Sequence, residues 1–284
     1  MFTRPFGHTE IELSAVGFGG IICRDEDASE ARSVVVDAID RGVNYFDIAP
    51  AYGNAQYVLG PALAPFRRDV FLACKTGARD ADGAERDLNE SLNALKTDYF
   101  DLYQLHGVTT SEEVEQIFAP GGAMELFERA KAEERIRYLG FSAHSEEAAI
   151  QLMERYDFTS VLFPINWVTW NTGRFGPRVI AAADETATAV LALKSLAKRK
   201  WRDGEERIWP KCWYRPIDTI EEARLAFRFT MSRPVTAAVC PGHKEFLHWA
   251  CDAADDFTQL SEDEEQEVVE RARNEDTIFA SVTR

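Results

Sequence analysis

Strand-like and helix-like patterns alternate along almost the entire chain, with no break in composition between them, and this rhythm limits the choice of fold most sharply. The stretch 28–41 places Ala31, Val34, Val35, Ala38 and Ile39 three and four residues apart, the spacing of one helix face, and Gly42 closes it. The short apolar run 43–47 follows as a strand. The same pairing recurs: strands are predicted at 13–20, 43–47, 70–74, 99–105, 136–141, 160–165, 188–193 and 236–240, each followed by a helical pattern. Eight such pairs in 284 residues predict an α/β fold, one closed (β/α)8 TIM barrel spanning residues 1–284 as a single domain. An open doubly wound sheet is the alternative. Against it, Gly17-Phe18-Gly19-Gly20 follows the first strand where a dinucleotide-binding sheet carries G-x-G-x-x-G.

Two segments interrupt the rhythm. Residues 167–176, rich in Trp, Asn and Gly, form a loop after the sixth strand. Residues 198–216, with Trp201, Trp209, Trp213 and Tyr214, form a longer one after the seventh and read as an ordered flap over a ligand. The acidic run Ser261–Glu267 opens a C-terminal helix.

The net charge of −16 disfavours nucleic acid and anionic membranes as partners. No apolar run reaches membrane-spanning length, the N-terminus lacks a secretory pattern, and an odd count of five cysteines suggests reduced thiols, so a cytoplasmic protein is expected.

In a parallel barrel the carboxyl-terminal strand ends converge on the active-site face. Asp47 and Tyr52 stand past the second predicted strand, Lys75 past the third and His106 past the fourth. Reduction of a carbonyl needs a hydride donor and an acid. A tyrosine serves as that acid if a neighbouring lysine ammonium lowers its pKa, an aspartate fixes the lysine, and a histidine orients the carbonyl oxygen.

The segment Gly42-Val43-Asn44-Tyr45-Phe46-Asp47-Ile48-Ala49-Pro50-Ala51-Tyr52-Gly53, with Cys74-Lys75-Thr76 and Asp101-Leu102-Tyr103-Gln104-Leu105-His106, resembles the catalytic segments of the aldo-keto reductase family. Gly140-Phe141-Ser142, Pro164-Ile165-Asn166 and Cys240-Pro241-Gly242-His243-Lys244 are similar to its cofactor-contacting segments. The resemblance implies NADP(H)-dependent reduction of an aldehyde or ketone, with NADH possible, in a barrel without a Rossmann domain. Tyr52 would be the general acid, Asp47 and Lys75 its tuning pair, and His106 the group orienting the substrate. Ser142, Asn166, Lys194, Gly242 and Lys244 would hold the cofactor, Lys244 near the 2′-phosphate. Ile22, Trp167, Trp170 and Trp213 would line the pocket for a small-molecule carbonyl substrate.

The chain departs from the family pattern at Ala143, at Leu162-Phe163, at Leu193-Lys194 and at Cys251-Asp252. The altered nicotinamide shell motivates a second reading, a non-catalytic nicotinamide-binding scaffold or redox-sensing partner subunit. A third is a barrel isomerase or lyase acting on a sugar or polyol without hydride transfer. Three smaller features stay open. His144 either touches substrate, caps the next helix or is exposed. The basic run Lys194, Lys198, Arg199, Lys200 and Arg202 is either a solvated loop or a clamp on the cofactor pyrophosphate. Cys240-x-x-His243 with His248-x-x-Cys251 has a zinc-like ligand count but straddles a strand end and a helix, and no metal is expected.

Overall fold

A computed structural model describes residues 1–281. Eight parallel strands close into a barrel, β3 (Val16–Gly19), β4 (Tyr45–Asp47), β5 (Phe71–Thr76), β6 (Phe100–Val108), β7 (Ile136–Ala143), β8 (Ser160–Pro164), β9 (Ala189–Leu193) and β12 (Ala237–Val239), with β12 pairing both β9 and β3. The helices between them pack outside: α1 (Ala28–Asp40), α2 (Ala55–Leu63), α3 (Ala81–Leu95), α5 (Ala123–Ala132), α6 (Glu146–Arg155), α8 (Pro177–Glu185), α9 (Ile220–Met231) and α10 (Lys244–Asp255). This is the (β/α)8 barrel expected from the alternation. No helix among the described residues is long and apolar enough to cross a membrane.

The barrel interior is filled by Tyr45, Phe71, Ala73, Leu102, Leu162, Leu191, Ala237 and Val239. A hairpin of β1 (Thr3–Pro5) and β2 (Glu12–Ser14), of which the sequence reading covered only the end of β2 within its first strand, adds Phe6 and Leu13 to this cluster. The Phe6 ring meets Phe71 edge-on with centroids 5.0 Å apart, so the hairpin plugs the amino-terminal end. Gly17 pairs with Tyr45 across β3 and β4, and a Cβ there would stand 2.7 Å from the tyrosine ring, so only glycine leaves room for that ring.

The structure adds elements where loops were expected. Thr110 and Glu113 form a capping box that opens α4 (Ser111–Phe118). Asn166 caps α7 (Trp167–Asn171), accepting from the N–H groups of Val168 and Thr169. The segment after β9 is an ordered flap whose ends pair as β10 (Ala197–Arg199) and β11 (Arg215–Pro216). As the sequence reading had it, the acidic run opens a C-terminal helix, α11 (Glu262–Ala272), capped by Ser261.

Candidate active site

The four expected catalytic residues gather at the carboxyl-terminal face, although their elements differ from the sequence reading in one respect. Lys75 and His106 lie within β5 and β6 rather than beyond them, because both strands run longer than their apolar cores. Asp47 ends β4, and Tyr52 lies in the turn leading to α2.

Asp47 and Lys75 are buried and form a direct ion pair through Asp47 Oδ1. The other carboxylate oxygen accepts from Gln104 Nε2 at 3.0 Å and from the Tyr45 hydroxyl at 3.2 Å. Lys75 Nζ also donates to the Ile48 carbonyl at 3.2 Å. A lysine ammonium has three protons, so these two partners leave one for the Tyr52 side, where Nζ lies 5.9 Å from the ring centre. His106 meets the Tyr52 ring edge-on, centroids 6.1 Å apart.

The electrostatics depart from expectation at Tyr52. Burial, reinforced by the Asp47 carboxylate, raises its pKa above the free phenol value rather than lowering it, since Asp47 already matches the Lys75 charge. The phenol therefore keeps its proton at neutral pH. Burial, with the charges of Lys75, Arg79 and Lys194, lowers His106 to about 3, so its imidazole is neutral.

A cavity of about 350 Å³ opens over this group, walled by Tyr52, Lys75, His106, Ser142, His144, Leu162, Leu193, Lys194, Trp213 and Phe279. Trp213 is 63% exposed, its ring 6.4 Å from that of Tyr52. Of the other expected pocket residues, Trp167 is buried and donates to the Ala197 carbonyl, and Trp170 packs near Phe229 and Arg233 on the outer layer. Ile22 lines a separate cavity with Glu26, Glu30, Lys211, His243, Lys244 and Glu245. These three side chains do not reach the Tyr52 cavity. His144, for which substrate contact was one open reading, and Leu162 and Leu193, read as departures in the nicotinamide shell, do reach it, as does Phe279, which the sequence did not place. Phe279 comes from the strand-free tail after α11, stacking on both His144 and Phe175. No periodic signal marks such a tail.

The residues present fit a nicotinamide. Ser142 Oγ accepts from the Gly107 N–H at 2.7 Å and keeps its own proton to donate. Asn166 spends its oxygen on the α7 cap, whereas its buried Nδ2 has no partner among the described residues. A carboxamide oxygen suits two such free donors. Lys194 borders both the Tyr52 cavity and a narrower cleft reaching Gly242, against which Lys211 of the flap packs. Lys244 begins α10 with its ammonium 2.6 Å from Glu30.

The basic run is not free to clamp a pyrophosphate as a unit. Lys198 pairs with Glu222 at 2.7 Å, and Arg199 meets Glu205 through two hydrogen bonds of 2.8 Å each. Arg215 also reaches Glu205, so these charges hold the flap closed on itself. The zinc-like set is likewise dispersed: His248 pairs with Asp37, His243 accepts from the Lys211 N–H, and Cys240 contacts the Phe246 carbonyl.

Residues 15–197 match the sequence profile of the Aldo/keto reductase family. The uncharacterized oxidoreductase YqkF of Bacillus subtilis (strain 168) is 32% identical over 176 residues, 57% of this chain and 55% of that protein. The methylglyoxal reductase YeaE of Escherichia coli (strain K12) is 38% identical over 105 residues, 34% of this chain and 36% of its own length. The alignments thus span about half or less of these relatives. Among solved structures, the holo form of aldo-keto reductase AKR11C1 from Bacillus halodurans superposes with a TM-score of 0.77 over 98% of both chains at 24% identity, a likeness of fold. A family profile covering more than half of the 284 residues, over the strands that carry Asp47, Lys75 and His106, makes this chain a member of the aldo/keto reductase family.

Proposed function

We propose that this chain is an NADP(H)-dependent oxidoreductase that reduces an aldehyde or ketone to an alcohol, with Tyr52 as general acid. The observation that carries the reading is the buried Asp47–Lys75 pair beside a protonated Tyr52 at the base of a cavity fit for a small carbonyl compound. A reduced nicotinamide, held at its carboxamide by Ser142 and Asn166, supplies the hydride when bound. The protein's part is to meet the charge that grows on the substrate oxygen. Neutral His106 donates a hydrogen bond to that oxygen, and Tyr52 gives it a proton. The remaining Lys75 proton then faces the phenolate, and Asp47, held by Tyr45 and Gln104, fixes the lysine in place. Electrostatic arrangement of this kind is ready before the reaction begins.

The same reading places the 2′-phosphate at Lys244. Glu26, Glu30 and Glu245 share that cavity and oppose a phosphate, which offsets the pull of Lys244 on NADPH, so NADH is accepted as well. Glu30→Gln releases Lys244 and moves the preference toward NADPH about two- to fivefold, the size of one exposed ion pair. The five cysteines are buried free thiols, in keeping with a reducing, cytoplasmic setting; in the same reading residues 1–284 belong to one domain.

Titration with NADPH and NADH, followed by tryptophan quenching that Trp213 reports from beside Tyr52, tests the cofactor assignment. Binding followed by turnover of aldehydes or ketones supports the reductase. Binding without turnover across a carbonyl panel favours the scaffold reading, and no binding by a folded sample contradicts both.

A further inference from the structure

Lys194, expected from the sequence at the cofactor, sends its ammonium to His144 on the wall of the Tyr52 cavity, where reduction of a plain carbonyl makes no use of the charge. Lys194 follows the last residue of β9 with φ +62°, a left-handed conformation that a residue with a side chain rarely adopts. Its Nζ lies 3.0 Å from His144 Nε2 and 5.5 Å from the centre of the Phe279 ring. Lys198 and Arg199, a few residues on, are ion-paired, yet no carboxylate lies within ion-pair distance of Lys194 among the described residues. Burial lowers Lys194 to about 8, which leaves it an ammonium at neutral pH. Burial lowers His144 to about 3, so its ring is neutral and accepts the lysine's hydrogen bond.

The charges around the cavity do not cancel. Lys75 is matched by Asp47, and both histidines are neutral. Leu162, Leu193, Trp213 and Phe279 supply apolar wall. One positive charge remains, desolvated and unmatched. An unpaired buried charge is costly, and an anion on the ligand offsets that cost.

We propose that Lys194, seated by His144, binds the carboxylate of an oxo-acid substrate whose aldehyde or ketone group lies at Tyr52. The proposal rests on the reductase reading and names its substrate class. A single ammonium neutralises a monoanion; a phosphate monoester would bring nearly two charges to a wall that holds one. The carboxylate is therefore the group the cavity fits.

The test compares 4-carboxybenzaldehyde with its uncharged amide, and glyceraldehyde with glyceraldehyde 3-phosphate, in the wild type, Lys194→Met and Lys194→Arg, all with nicotinamide present. The wild type should show kcat/KM about tenfold or more higher for the carboxylate than for the amide, expressed mainly in KM. Lys194→Met should bring that ratio near one, and Lys194→Arg should restore part of it. A wild-type ratio near one overturns the proposal, as does a ratio that survives Lys194→Met. A preference confined to the phosphate ester also overturns it. Lys194→Met that weakens cofactor binding and leaves the ratio unchanged assigns the lysine to the cofactor instead.

If neither aldehyde of either pair is reduced, the reductase reading fails, and binding alone still decides the proposal. 4-(Hydroxymethyl)benzoate should then quench tryptophan fluorescence at a Kd at least about tenfold below that of its amide, a difference lost in Lys194→Met. Equal binding of acid and amide overturns it.

Discussion

At the scale of single residues, Tyr52 carries the chemistry and its neighbours carry the electrostatics. Tyr52→Phe keeps the ring but removes the proton, so kcat should fall about 10²–10⁴-fold while the cofactor Kd stays within twofold or so. Rapid-mixing kinetics and fluorescence titration separate the two effects. His106 and His144 give the protein an acid limit. Both are held near 3 in the folded state, against about 6.5 when unfolded, so the unfolded chain takes up protons first as pH falls. Their contribution is fully present above about 6.5 and is lost progressively toward 3. Tm should therefore drop between about pH 6.5 and pH 4, and His144→Gln should drop less over the same interval. The catalytic quartet was legible in the sequence because each member follows a recognisable strand pattern. The partnership of Lys194 with His144 was not, since the two follow different strands, β9 and β7, and only barrel closure brings them together.

At the scale of elements, boundaries followed side-chain chemistry more than hydrophobic period. Helices α6 and α9 coincide with the helical patterns the sequence carries at 146–155 and 220–231, because a Ser or Thr cap precedes a clear apolar stripe in each. Helix α4 went unread although its Thr110–Glu113 capping box stands in the sequence, since only Val114 and Ile117 are buried along it. Helix α7 hid in a segment whose Trp, Asn and Gly content resembles a loop, and Asn166 is the residue that starts it. That residue has two separable duties. Asn166→Ser keeps an oxygen that can cap α7 and loses the free Nδ2 donor, so it should weaken nicotinamide binding with little change in Tm. Asn166→Ala should do both, with about 1 kcal/mol of stability lost to the missing cap. Chemical denaturation and cofactor titration of the two variants check this division.

At the scale of the whole molecule, the barrel turns sequence order into proximity at one face and is closed by a plug at the other. The hairpin of three-residue strands was too short to show a period, yet it seats Phe6 fully buried between Phe71 and Tyr138. Phe6→Ala should cost about 3–5 kcal/mol in urea denaturation. It should spare the catalytic geometry, because the plug lies at the end opposite Tyr52. The flap after β9 was legible as a flap from its aromatic content. What holds it was not, because the Arg199–Glu205–Arg215 network exists only after β10 and β11 pair.

Whether Tyr52 protonates the oxygen of a carbonyl reduced in this cavity is decided by single turnover, mixing enzyme preloaded with NADPH against 4-carboxybenzaldehyde and following nicotinamide absorbance. The wild type should lose NADPH rapidly, and Tyr52→Phe should do so about 10²–10⁴-fold more slowly while binding NADPH as tightly. Equal rates in the two proteins, or no consumption by a folded wild type saturated with cofactor, would contradict that role for Tyr52.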